Sequence, residues 1–177
     1  MPYLHHLAGV GLDSGERGNP PAKFDPRLHR GPGDGPAPVA HAGEEGPAAY
    51  IREALDRLAV VRIDHGVRCD EDPALVDELA ARRVPLTVCP LSNLKLRVVK
   101  DLARSQPRAP AGAGLCVTIN SDDPAYFGGY IGDNYRATAA ALGLDAAALK
   151  QLAQNAVEAA WLPLARRVQL LAEIDAL

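Results

Sequence analysis

VVRIDHGVRCDEDPALVDELAARRVPLTVCPLSN, residues 60–93, carries two structural periods in one stretch. Val60 to His65 is a short β-branched run that ends in polar residues, and Leu86 to Cys89 repeats the form. Between them, Asp72 offers a side-chain cap and Pro73 a preset φ, just ahead of the apolar positions Leu75, Val76 and Leu79. Strand, capped helix and strand at this spacing make one β/α unit of a parallel sheet or barrel.

The same alternation extends outward from this unit. Val10 to Leu12, Val39 to His41 and Leu115 to Asn120 are further candidate strands. Pro47 to Leu58 places Ile51, Ala54, Leu55 and Leu58 at i, i+3, i+4 and i+7, an amphipathic helix with Pro47 expected at its first position. Asp145 to Val157 and Leu162 to Leu177 read as two C-terminal helices, with Leu149, Leu152, Ala156 and Val157 on one face of the first and Trp161 expected to pack the two together. The chain is expected to form one domain over residues 1–177. Within it, residues 25–38 form an irregular connection, because GPGDGPAP at 31–38 has too many breakers for a helix.

Composition narrows the function. With 177 residues, 47% hydrophobic and 23% charged, the chain can build a core without staples. A net charge of -3 with no basic cluster argues against a nucleic-acid partner. The lack of a long apolar run or a signal-like N-terminus argues against a membrane and for a cytoplasmic protein. Cys69, Cys89 and Cys116 are expected to be three buried reduced thiols.

In parallel β/α folds the chemistry collects at the C-terminal ends of the strands. Here those ends read Asp13-Ser14-Gly15-Glu16, His41-Ala42-Gly43-Glu44, Asp64-His65-Gly66, Cys89-Pro90-Leu91-Ser92-Asn93 and Asn120-Ser121-Asp122-Asp123-Pro124. Singly, each has a bland reading as a cap or a hydrogen-bonded structural group. As a set, two imidazoles and several carboxylates on one rim suit zinc at a hydrolytic centre, with His41 and Asp122 as ligands and Glu44 as acid/base.

HAGEE at 41–45, RIDHG at 62–66, CPLSN at 89–93 and NSDDPAYFGGY at 120–130 resemble, in this order, the adenosine and adenine deaminase family of zinc hydrolases. The resemblance runs from about Gly9 to the C-terminus and implies an α/β fold, an incomplete (β/α)8 TIM-type barrel consisting of about the last five β/α units. It implies that Zn2+ activates a water that attacks C6 of a purine, releasing ammonia and leaving a 6-oxo product. Carried over by motif, His41 and Asp122 are metal ligands, Glu44 protonates purine N1, His65 orients or deprotonates the water, and Asp123 accepts a hydrogen bond near N7. GLDSGERGNPP at 11–21 looks more like the adenine branch, which places Ser14 and Glu16 at the base edge that a ribose would otherwise occupy. The expected partner is thus a small-molecule purine, adenine ahead of adenosine.

Two features depart from the family pattern. The H-x-H of the first barrel strand is missing, and the adjacent pair His5-His6 cannot replace it, because neighbours on a strand face opposite ways. Five strands also leave sheet edges open, so self-association and marginal stability are expected. Beside the deaminase reading stand a non-catalytic, truncated remnant of the barrel and another amidohydrolase on the same scaffold. In this reading Arg62 pairs or snorkels at a strand edge, Ser92 and Asn93 tie the fourth loop to its neighbours, and Tyr126 to Tyr130 line the pocket mouth or form a packed loop.

Overall fold

A computed structural model describes residues 6–24, 36–104 and 114–177. His5 and most of the 25–38 connection lie outside the described residues. Five strands, β1 (Gly9–Leu12), β2 (Ala37–Ala42), β3 (Arg62–His65), β4 (Pro85–Val88) and β5 (Cys116–Ile119), pair in chain order, and every pair is parallel. Sequential order without a reversal means that each crossover lies on the same face, which curves the sheet into an arc of a barrel rather than an open doubly wound sheet. The expected boundaries shift slightly. β2 starts before Val39, so Ala37 and Pro38 belong to the strand rather than to the irregular connection, and β3 begins at Arg62 because the amide of Val60 still bonds to Ala54 of the preceding helix.

The crossover helices follow from their apolar spacing. In α1 (Ala48–Arg57), Ile51, Ala54 and Leu55 are buried together with Leu58 at its C-cap. Pro47 occupies the N-cap position, one residue before its expected place. In α2 (Pro73–Ala81), Leu75, Val76 and Leu79 are buried, and the Asp72 carboxylate accepts the N–H of Leu75 at 3.2 Å, as its sequence position predicts. Three further helices precede the C-terminus: α3 (Pro90–Lys95), α4 (Pro124–Phe127) and α5 (Ile131–Leu142). The C-terminal pair is α6 (Ala146–Ala159) and α7 (Leu164–Asp175). α6 docks on β5 through Asn155, whose Nδ2 donates to the Val117 carbonyl at 2.9 Å.

The sheet face toward the helices holds the core. Ala40, Ala42, Ile63, Leu86, Val88, Val117 and Ile119 are buried in one cluster with the apolar residues of α1 and α2 and with Leu152 of α6. On the opposite face a polar row runs in register from His41 to Asp64, Thr87 and Thr118. This inward row, with the loops at the strand ends, positions the site. The Trp161 ring reaches β1 and β3: Arg62 lies 4.4 Å from its ring centroid, and the ring covers Gly9 so closely that a Cβ there would collide with it. All three cysteines are free and buried, as expected.

Candidate active site

The rim is built by sharp turns immediately after the strands. Ser14, His65 and Asp122 have φ of 72°, 65° and 55°, left-handed values that a side chain rarely adopts. At His65 the turn has a direct consequence. His41 pairs with Asp64, so regular alternation would send His65 to the helix face with Ile63. The left-handed backbone re-aims the ring instead, and the centroids of His41 and His65 stand 4.7 Å apart, edge to face.

Glu44 lies on the loop after β2, 8% exposed, with Oε1 3.4 Å from His65 Nδ1. That oxygen is buried and makes no hydrogen bond. Burial, then the charges of Glu16, Asp122 and Glu45, push the Glu44 carboxyl up to about 7. Burial and the neighbouring His41 hold His65 down to about 4. The close pair is therefore not an ion pair at neutral pH, since His65 is uncharged and Glu44 keeps a large share of its proton.

The loop after β4 supplies positioning groups. Asn93 Oδ1 lies 3.2 Å from His65 Nδ1, and Ser92 donates to Asp122 Oδ2 at 2.6 Å. Both are fully buried, so the ties expected of Ser92 and Asn93 lead to the two most chemically placed residues of the rim. Asp123 is exposed at the N-cap of α4, without a side-chain capping bond. Tyr126 and Tyr130 are 80% and 74% exposed, so this segment is not a packed loop.

Two clefts share His41. One, of about 450 Å³, runs along Leu12, Ser14, Glu16, Asn19 and Phe24; the other, of about 330 Å³, is bounded by Asp64, His65, Thr87, Cys89, Asn120 and Asp122. Donor atoms of His41, Glu44 and His65 lie within 4.8 Å of one another, as do those of His65, Cys89 and Asp122. The two groups meet at His65, and the expected ligands His41 and Asp122 fall in different groups; the imidazole and carboxylate donors of both are of the kind that fits zinc. The Cys89 thiol is a poor member of it, because burial and the carboxylates of Asp122, Asp64 and Glu44 push its pKa up and keep it protonated. Asp64 and Thr87, which hydrogen-bond each other, and Cys89 line the second cleft without being expected as site residues; Asp64 and Cys89 stand in the strand-end motifs quoted above, and Thr87 has no signal beyond its inward-facing strand position.

The adenosine deaminase family profile matches residues 4–177. The chain belongs to the adenosine deaminase family. It is 55% identical over 175 residues to an adenine deaminase of Cupriavidus necator, covering 99% of this chain and 50% of that protein. An adenine deaminase of Streptomyces coelicolor is 54% identical over 177 residues, with 99% and 52% covered. The crystal structure of an adenine deaminase from Arthrobacter aurescens superposes with a TM-score of 0.90 at 48% identity, over 99% of this chain and 54% of that one. An amidohydrolase from Burkhoderia ambifaria with bound Zn superposes with a TM-score of 0.84 at 30% identity, over 96% and 49%. The chain thus spans about half the length of the family relatives it matches. Its five β/α units are an arc of their TIM-type barrel.

Proposed function

We propose that this chain carries a centre for hydrolytic deamination of a 6-aminopurine, with adenine preferred over adenosine, acting in the cytoplasm. The observation that carries the reading is the Glu44 carboxyl: buried, held near pH 7, with one oxygen free of hydrogen bonds, beside a neutral His65. Such a group can give a proton to a ring nitrogen at physiological pH, which a normally ionised carboxylate cannot.

Glu44 protonates purine N1, which draws electron density from C6 and prepares it for attack. His65, uncharged, offers a ring nitrogen to the attacking water while Asn93 fixes the imidazole. Asp123, exposed at the start of α4, accepts a hydrogen bond near N7, and Ser14 borders the cleft at the opposite edge of the base, whereas the Glu16 carboxylate, expected at that edge, is buried against the backbone amides of Gly43, Glu44 and Gly46. The water forms the new C6–O bond and passes one proton by way of His65 to the amino group, the C6–N bond breaks and ammonia leaves, and the remaining O–H proton returns to Glu44 as the 6-oxo group forms. His41 and Asp122 would hold Zn2+, with Ser92 orienting Asp122; when bound, the ion lowers the pKa of water toward about 7 and so supplies hydroxide. The adenine preference is supported by the relatives at 54–55% identity, which are adenine deaminases.

An ultraviolet assay of the zinc-loaded chain with adenine and adenosine in parallel tests the reading, with Glu44→Gln as control. Conversion of adenine that drops by roughly 100-fold or more in the control supports it. Folded, zinc-loaded protein that converts neither purine would favour the non-catalytic reading.

A further inference from the structure

The Glu16 carboxylate is 4% exposed and turned into the loop that bears Glu44. Its Oε2 accepts the N–H of Gly43 at 3.0 Å and of Gly46 at 2.7 Å, and its Oε1 accepts that of Glu44 at 3.1 Å. One side chain from the β1 loop thus gathers three backbone amides of the β2 loop. Pro47 at the N-cap of α1 provides no side-chain capping bond, and Arg68 holds the carbonyls of Gly43 and Glu45, so the amides of the loop are left to Glu16. The approach also dictates local sequence. A Cβ at Gly46 would stand 2.7 Å from Glu16 Oε2 and run into the Tyr50 ring, while Gly43 turns with φ of +72°. Next in sequence, Arg17 reaches Glu45 at 3.4 Å and ties the same two loops.

We infer that Glu16 is a positioning residue for Glu44: its carboxylate clamps the 43–46 backbone, and the clamp holds the Glu44 side chain against His65. The inference rests on the acid/base reading of Glu44 given above. Charged acceptors that bind several N–H groups are the stronger class of hydrogen bond, so releasing them frees the loop and misplaces the proton donor. A shift of about 1 Å in such a group is enough to cost on the order of 100-fold in rate.

The test has two arms on the full chain. In the first, amide hydrogen exchange is followed by NMR in wild type, Glu16→Gln and Glu16→Asp. The Gly43, Glu44 and Gly46 amides are expected to exchange roughly 10-fold or more faster in Glu16→Gln, with partial recovery in Glu16→Asp, while α1 and α2 amides stay unchanged. Gly46→Ala attacks the same contact from the loop side and should reproduce the effect should Glu16→Gln fold poorly. In the second arm, the zinc-loaded Glu16→Gln chain should lose roughly 10- to 100-fold in kcat for adenine with KM within about threefold. Unchanged exchange at the three amides would overturn the clamp, and a raised KM with an unaltered kcat would make Glu16 a base contact instead. A wild-type chain that deaminates nothing would sink the proposed function, while the exchange arm would still decide the clamp.

Discussion

Glu44 and His65 share one buried pocket, and their shifts act on stability in opposite pH windows. Glu44 is raised from 4.5 to about 7, so the folded chain binds that proton more tightly than the unfolded chain does. The resulting stabilisation is complete below the unfolded value and is lost as pH rises through about 7. His65 is lowered from 6.5 to about 4, so its neutral form contributes fully above 6.5 and that contribution is lost as pH falls through about 4. Urea unfolding in metal-free buffer should therefore show Glu44→Gln gaining on wild type between pH 5 and pH 8, by about 1–3 kcal/mol. A difference that is flat across this range would mean that Glu44 is ionised normally in the folded chain. At this scale the sequence was informative about residue type and silent about environment: a glutamate three places after a histidine does not reveal that its oxygen is buried without a partner.

Among the elements, α1 and α2 show how a short motif does two jobs. Asp72 caps α2 and also accepts from Arg52 Nε of α1 at 2.8 Å, while Arg52 Nη1 reaches Glu78 at 3.1 Å. The Arg52 bond, then the Leu75 amide, hold the Asp72 carboxyl below its ordinary value of 3.8. Asp72→Ala should lower Tm by a few degrees at neutral pH, through the lost cap and the lost inter-helix tie. A depressed carboxylate stabilises above its unfolded pKa, so this gap should narrow as pH falls below about 4, and scanning calorimetry at pH 7 and pH 3.5 checks it. The apolar period of α1 was legible because Ile51, Ala54, Leu55 and Leu58 form one unbroken stripe. α5 was not anticipated: its sequence IGDNYRATAAAL has no large apolar stripe, and it is held by Asn134, which accepts from the Leu91 amide at 3.1 Å. Long-range polar contacts of this kind leave no periodic trace.

For the whole molecule, the decisive feature is that the barrel arc is not closed within the described residues. β1 and β5 each have one neighbour, and Leu7, Val10, Val61 and Trp161 are all more than 40% exposed. Unpaired parallel edges beside apolar surface favour pairing with another chain. We propose that the isolated chain self-associates through these edges and is only marginally stable as a monomer. Sedimentation velocity over a hundredfold concentration range should show mass rising with concentration, together with a broad thermal transition in dilute samples. A single monomeric species with a sharp cooperative transition would count against both statements.

The sequence by itself determined the repeated β/α units, the stripe that buries α1, the Asp72 cap and the family, because each is written in local spacing or in ordered motifs. The tertiary structure alone decided how the rim residues meet. Strand alternation would have separated His41 from His65, and only the left-handed turn at His65 brings their rings together. The engagement of Glu16 with the amides of the loop at 43–46, about 30 residues away, likewise depends on two strands lying side by side. Proximity across a sheet is set by register and backbone strain, and neither is expressed in the order of residues along the chain.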